Sequence, residues 1–313
     1  MNTYSLSYVI TTFNKLEYLK ITLADLINNC KPDEEIVVVD GGSEDGSKEF
    51  LELLFKENKI QQFISEPDFG EAHGFNKGFL MAKGDLIKVI TDDDAFNFEG
   101  IQKCKIKMLA NPEIDLMAGN MAYFDLKNRN KIHLKFDDNY FNDWLNNKIP
   151  SFWFNGQPLM IRRKQLPLIG FFNPDFIIVD TEFSLRTTFS RKAKLEWCSE
   201  IMSVNISNID SNSVKFKEKV NCQLKELDII YSERLSEIIK YKENHPVNLF
   251  LTSTKNLFKF IFDKVFPFKK LIGKKELKDN NNPLFIDNFL SFNEVFQILK
   301  QELIEINKKS NLL

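Results

Sequence analysis

Asp92-Asp93-Asp94 directly follows the apolar run Leu86-Ile87-Lys88-Val89-Ile90-Thr91. Three adjacent carboxylates at a strand exit repel one another unless a cation shares them. Mg²⁺ or Mn²⁺ suits such a place, because a hard cation takes oxygen ligands and joins one or two carboxylates to substrate phosphates. The same acids would also suit the positive start of the next helix as caps. Asp40 closes a second apolar run, Ile36-Val37-Val38-Val39, and opens the loop Asp40-Gly41-Gly42-Ser43-Glu44-Asp45-Gly46-Ser47. That loop is neither GxGxxG nor a Walker A motif. A turn with a helix cap at Asp45 or Ser43 accounts for its residues, while an acid at a strand end can accept hydrogen bonds from a nucleoside, as in dinucleotide folds. A third segment, Ser65-Glu66-Pro67-Asp68-Phe69-Gly70-Glu71-Ala72-His73-Gly74-Phe75-Asn76-Lys77-Gly78, joins a turn to a helix start. A helix N-terminus with Lys77 can meet a diphosphate; a surface turn before an amphipathic helix has the same composition.

The elements that must position these groups alternate between two periods. Leu6–Thr12, Glu35–Asp40, Gln61–Ser65 and Asp85–Thr91 read as strands. Lys15–Asn29, Ser47–Asn58, Glu71–Lys83 and Asn97–Ala110 read as helices, with apolar stripes such as Leu16, Leu19, Leu23, Leu26 and Ile27. Strands and helices alternating at this spacing predict βαβ units and a largely parallel sheet. In such open sheets ligands bind beyond the carboxyl ends of the strands, which is where Asp40 and Asp92 to Asp94 fall. Leu116–Phe124 and Lys131–Phe136 read as further strands, Ser151–Arg162 as extended and aromatic, and Thr181–Ser190 as helical. After about Asn205 the pattern is helical and Lys-rich, with a loop at Asn280-Asn281-Asn282-Pro283.

Taken together, Val9-Ile10-Thr11-Thr12-Phe13-Asn14-Lys15, Glu35 to Ser47, Ser65-Glu66-Pro67-Asp68 through Asn76-Lys77-Gly78, and Ala82-Lys83-Gly84-Asp85 leading to Thr91-Asp92-Asp93-Asp94 resemble family-2 glycosyltransferases of the GT-A fold. The resemblance is dense over the first 125 residues and thinner to about residue 197. It implies an α/β catalytic domain of GT-A type over residues 1–205, a mostly parallel sheet flanked by helices. Residues 1–125 would bind the nucleotide sugar and residues 126–205 the acceptor. A helical, Lys- and Phe-rich extension would occupy 206–313.

The resemblance implies transfer of a sugar, with inversion, from a UDP-, GDP- or dTDP-sugar to a hydroxyl of a saccharide or lipid-linked acceptor. Thr11 and Phe13 would lie along the nucleoside, Asp40 would contact base or ribose, and Asp68, Lys77 and Asp92 would complete the nucleotide-sugar site. Asp93 and Asp94 would hold Mn²⁺ or Mg²⁺, Asp93 being the foremost ligand. Ile177-Ile178-Val179-Asp180-Thr181-Glu182 resembles the segment bearing the base, which falls on Asp180, with Glu182 its nearest competitor. An N-cap at Asp180 supported by Glu182 is the structural alternative. The family's proline in the first strand is Thr11 here, an aspartate of the third motif is His73, and a His-Gln pair is Gly156-Gln157. These departures bear on sugar and acceptor specificity rather than on the fold. Trp153 and Phe154 are placed for stacking on an acceptor sugar or for core packing.

Composition removes other classes. The 313 residues are 43% hydrophobic and 27% charged, which excludes a disordered chain, and a net charge of -2 gives no reason to expect nucleic-acid binding. Cys30, Cys104, Cys198 and Cys222 form no CxxC pair, which suits reduced thiols in the cytoplasm rather than a disulfide or zinc framework. No signal peptide or transmembrane run is expected. A nucleotidyltransferase would carry a Gly-rich basic loop where Thr12-Phe13-Asn14-Lys15 stands. A non-catalytic sugar-nucleotide-binding or scaffold protein of the same fold is the alternative function. In the extension, Phe250, Leu251, Phe258, Ile261, Phe262, Val265 and Phe266 recur at helical spacing among lysines. That face can pack on the catalytic domain or on a second copy, or lie on the inner face of an anionic membrane beside a lipid-linked acceptor.

Overall fold

Strands β1 (Leu6–Thr12) and β2 (Glu34–Asp40) pair in parallel, and every residue of β2 is buried. Their side chains alternate between two cores, as the period of a strand requires. Val9 and Val37 face one side, with Phe75, Phe79 and Phe183, while Tyr8, Ile10, Ile36 and Val38 face the other, with Leu19, Leu23 and Ile101. Helices therefore cover both faces, and the β-branched run of β2 suits a strand with no solvent side. The computed structural model describes residues 4–125, 132–135, 138–207, 210–244 and 292–310.

In chain order, α1 (Leu16–Asn29), α2 (Ser47–Lys56), β3 (Gln62–Ser65), α3 (Glu71–Met81) and β4 (Leu86–Ile90) complete the first half. β3, β2, β1 and β4 lie side by side and parallel, so the expected βαβ half is present. Glycine decides how α3 lies. A Cβ at Gly74 would sit 2.2 Å from Thr11 Oγ1, and one at Gly78 would sit 2.3 Å from Val9 Cγ1. These glycines let α3 rest directly on β1, with its N-terminus near the carboxyl ends of the strands.

The second half is mixed. After β5 (Ala95–Phe96) and α4 (Phe98–Ala110) come β6 (Leu116–Asp125), β7 (His133–Lys135), α5 (Asp138–Leu145), β8 (Met160–Arg162), α6 (Leu166–Ile169), α7 (Val179–Ser190) and β9 (Leu195–Ser207). β8 joins β4 to β6 with antiparallel pairings, β6 and β9 run parallel, and β5 closes antiparallel on β9. The aromatic stretch from Ser151 is thus a strand only at Met160–Arg162. β9 and α5 are elements that the sequence pattern did not predict.

Beyond β9 lie α8 (Asn212–Lys215), α9 (Lys217–Asn244) and α10 (Phe292–Ser310). α10 seals the far edge of the sheet: Val295, Phe296, Leu299 and Leu303 pack on Phe124, Val204 and Ile206. Asn307 exchanges hydrogen bonds with the backbone of Ile201, both 2.8 Å. The Phe250 to Phe266 stripe and the Asn280 to Pro283 loop lie outside the described residues, as does His245. Among the described residues no helix is long and apolar enough to cross a membrane.

Candidate functional site

Strand register sets Thr12, Asp40 and Ser65 abreast at the carboxyl ends of β1, β2 and β3. Asp40 is fully buried and accepts hydrogen bonds from Ser65 Oγ at 2.6 Å, from Ser43 N at 3.1 Å and from Ser43 Oγ. It thereby ties the glycine loop to the end of β3, just behind the cleft wall. Gly42, at φ +84°, follows in the left-handed region, where a Cβ would stand 3.0 Å from the Pro67 backbone. Asp45 caps two helices at once, accepting from Leu16 N at 2.8 Å and Ser47 N at 3.1 Å. Asn14, at φ 51°, pins the loop after β1 by accepting from Glu44 N and donating its own N–H to Ser43 Oγ.

One cleft of about 890 Å³ opens over these strand ends. Thr11, Phe13, Asp68, Asp92, Asp93 and Asp94 line it from the first half, and Asp180 from the second. Phe13 is 58% exposed, an aromatic face left open to the cleft. Asp68 accepts from Gly70 N at 2.8 Å, holding the turn before α3. Lys77 is not among the lining groups: its ammonium is 2.9 Å from Glu66. His73 Nδ1 accepts from Phe69 N at 3.1 Å.

The three aspartates of the triplet differ. Lys15 Nζ lies 2.7 Å from Asp93 Oδ2 and 3.3 Å from Asp92 Oδ1. Burial opposes the charge on Lys15, but Asp92 and Asp93 outweigh it and hold the ammonium above the usual lysine range. Asp94 instead accepts from Thr91 Oγ1 (2.5 Å), Gln157 Nε2 (2.5 Å), Ile206 N (2.7 Å) and Asn205 Nδ2 (3.3 Å). Burial pushes the proton affinities of Asp92 and Asp94 up. None of the three caps α4, which Asn97 caps by accepting from Gly100 N.

Asp180 lies in the first turn of α7, after the N-cap residue Ile178, so it is not the cap. Its Oδ2 accepts from Gly156 N at 3.1 Å and its Oδ1 from Thr181 N at 2.8 Å. Burial raises its pKa, opposed by the Gly156 hydrogen bond. Glu182 is committed to Arg186, at 2.8 Å. Gly156 and Gln157 thus connect Asp180 to Asp94 through consecutive residues, and buried Lys88 fixes their loop by donating to the Gln157 carbonyl. Phe154 is core, with no exposure; Trp153 is half-buried beneath the Lys135 ammonium, 3.1 Å from its ring centre.

Lys15, Glu71 and Asn205 are cleft residues that escaped the sequence reading as site groups, whereas Gln157 stood there as the counterpart of a family His-Gln pair. Glu71 begins α3 and accepts from Asn212 Nδ2 at 2.9 Å; burial pushes its pKa up to about 7. Lys15 and Glu71 stood inside quoted motifs, and only their contacts distinguish them. Asn205 depends on β9, whose alternation Met202, Val204, Ile206 was the available signal.

Among the described residues no three His, Cys, Asp or Glu side chains form a cage for a metal ion. The donor set at the triplet still fits a hard divalent cation. Asp92 and Asp93 offer carboxylate oxygens, and the Lys15 ammonium between them is a stand-in positive charge at that point. Two carboxylates suffice where phosphate oxygens supply further ligands. Asp94, with its oxygens taken up by four neighbours, fits less well.

An uncharacterised glycosyltransferase of Haemophilus influenzae is 25% identical over 222 residues, covering 70% of this chain and 86% of that protein. A crystal structure of Staphylococcus aureus TarS matches with TM-score 0.51 at 16% identity, over 86% of this chain and 73% of that one; this likeness establishes the GT-A fold alone. A mannosyltransferase from Pyrobaculum calidifontis, solved with GDP-mannose and Mn²⁺, gives TM-score 0.49 at 17% identity, over 67% of this chain and 59% of its own. The model of glycosyl transferase family 2 matches residues 7–183, more than half of the sequence, and the chain belongs to that family.

Proposed function

We propose that this chain is an inverting, metal-assisted glycosyltransferase. It takes a UDP-, GDP- or dTDP-sugar as donor and a hydroxyl of a saccharide or lipid-linked acceptor as nucleophile, in the synthesis of a surface polysaccharide or glycolipid. The observation that carries this reading is the meeting of Asp92, Asp93 and Asp180, from distant parts of the chain, in one cleft of about 890 Å³. That volume lies within the usual range for small-molecule sites. All four cysteines are unpaired, which supports work in a reducing compartment such as the cytoplasm.

In this mechanism Phe13 offers its open face to the nucleoside, and Thr11 and Asp68 flank it. Asp40 acts from behind the wall by holding the Gly41-Gly42 loop in shape. Asp93, with Asp92, would hold the divalent cation, which supplies Lewis-acid neutralisation of charge on the leaving diphosphate. Asp180 is aimed by the Gly156 and Thr181 N–H groups and accepts the proton of the attacking hydroxyl. Its raised pKa suits that task, since a base is most effective with a pKa near the working pH. The acceptor oxygen bonds to the anomeric carbon as the carbon–oxygen bond to the diphosphate breaks on the opposite face. The products are the glycoside and the nucleoside diphosphate.

The test is thermal stabilisation by UDP, GDP and dTDP with and without Mn²⁺. A ligand at a hundredfold over Kd adds about 2.7 kcal/mol, a shift of several degrees. At least one nucleotide should give that shift only with Mn²⁺, and Asp93→Ala should remove it. No metal-dependent shift with any of the three would overturn the reading.

A further inference from the structure

Lys15 stands just after β1, and its side chain is 13% exposed. Its ammonium is shared between Asp93 and Asp92, at 2.7 and 3.3 Å. Those residues are only 7% and 6% exposed. Adjacent buried carboxylates need a counter-charge, because water cannot screen them there. Lys15 brings the group of three to a net charge of minus one. A divalent cation entering beside an unmoved Lys15 would turn that to plus one and set two cations a few ångströms apart, where they repel strongly. Without Lys15 the same cation would find two buried carboxylates and neutralise them. A diphosphate brings negative oxygens into the cleft and gives both cations partners.

Building on the glycosyltransferase reading of this cleft, we propose that Lys15 is a built-in counter-cation: it keeps divalent metal out of the free enzyme and makes metal entry depend on the arrival of the diphosphate. The coupling is reciprocal. Whatever factor the diphosphate adds to metal affinity, the metal adds to diphosphate affinity. Lys15 is therefore a positioning residue for charge, acting through Asp92 and Asp93. Asp94 feels Lys15 only through space, since its oxygens are held by Thr91, Gln157, Asn205 and Ile206.

The experiment is a Mn²⁺ titration of the full chain, followed by loss of the free-ion electron paramagnetic resonance signal. Wild type, Lys15→Met and Lys15→Gln are compared, first without nucleotide and then with UDP, GDP or dTDP. Without nucleotide, both variants should bind Mn²⁺ at least tenfold more tightly than wild type. With the nucleotide, the gap should narrow to a fewfold or reverse. Mn²⁺ should also raise the melting temperature of each variant more than that of wild type. Equal nucleotide-free affinities, or no measurable binding by either variant, overturn the role of Lys15 and leave the glycosyltransferase reading intact. Wild-type protein whose Mn²⁺ binding ignores all three nucleotides defeats that reading itself, and the coupling with it. If Lys15→Met does not fold, Lys15→Gln decides. If neither folds even in Mn²⁺, Lys15 is a structural partner only and the proposal fails.

Discussion

The two ends of the parallel strands both hold buried acids, and apart from Asp40 and Asp94, which the chain's own donors surround, they treat them differently. At the amino end of β2, Glu35 accepts from Ser7 Oγ and Lys83 N, both 2.6 Å, and from Gln62 Nε2 at 2.9 Å. Its neighbour Glu34 pairs with Lys105 at 2.7 Å and accepts from Gln102 and from Lys31 N. At the carboxyl end, burial raises the proton affinity of Asp92, Asp180 and Glu71. Asp180 has two backbone N–H donors, and Glu71 has the Asn212 amide. A buried charge surrounded by the chain's own donors is part of the scaffold. A buried acid in a cleft with a raised pKa and few donors of the chain's own is a candidate for work on a ligand. The difference separates framework from site more sharply than the acidity of either end.

The largest expected effect tests the site end. Asp180→Asn keeps an oxygen to accept from Gly156 N but cannot take a proton. Transfer should fall by about 10²–10⁴, the usual worth of a general base, while Mn²⁺-dependent nucleotide binding stays within a fewfold of wild type. Product formation in single turnover, with nucleotide affinity measured alongside, checks both halves. Retained turnover would remove Asp180 from the chemistry and weaken the contrast between the two ends.

The framework end should answer in stability alone. Glu35→Ala strands the Ser7, Gln62 and Lys83 donors in the interior, at a cost of about 3 kcal/mol. The melting temperature should drop by roughly 5–10 °C. Mn²⁺ and nucleotide affinity, measured well below that melting point, should not change. Altered metal affinity in Glu35→Ala would mean that the two ends are not separable.

How much of this was legible in the sequence follows the same division. β1 to β4 were visible because each is a short β-branched or apolar run between helical stripes, and their carboxyl ends could be read as ligand-facing from topology alone. Asp40, Asp93 and Asp180 were singled out on that basis and on the family resemblance. What sequence could not supply was partnership. Asp94 and Asp93 are identical neighbours in the chain, yet one is held by Gln157 and β9 and the other by Lys15. β9 itself was obscured because Glu196, Ser199 and Glu200 interrupt its apolar alternation, and its burial comes from elements distant in sequence, β6, α4 and α10. Lys77 looked suited to a diphosphate by its place on α3, but the rotation of the helix turns it to Glu66.

The smallest expected effect sharpens the comparison through pH. Glu71 has its pKa raised to about 7 in the folded protein, first by burial, with Asn212 and Lys15 opposing. Unfolded, it would titrate at about 4.3. Between those values the folded chain binds the extra proton, so the contribution of Glu71 to stability is fully present below about pH 4 and is lost as pH rises through about 7. Urea midpoints for wild type should therefore decline from pH 5 to pH 8 more steeply than those of Glu71→Gln. The difference should be about 1–2 kcal/mol, since the side chain keeps some contact with solvent. Asp92 and Asp180 tilt both curves in the same direction, so only the difference between the proteins isolates Glu71.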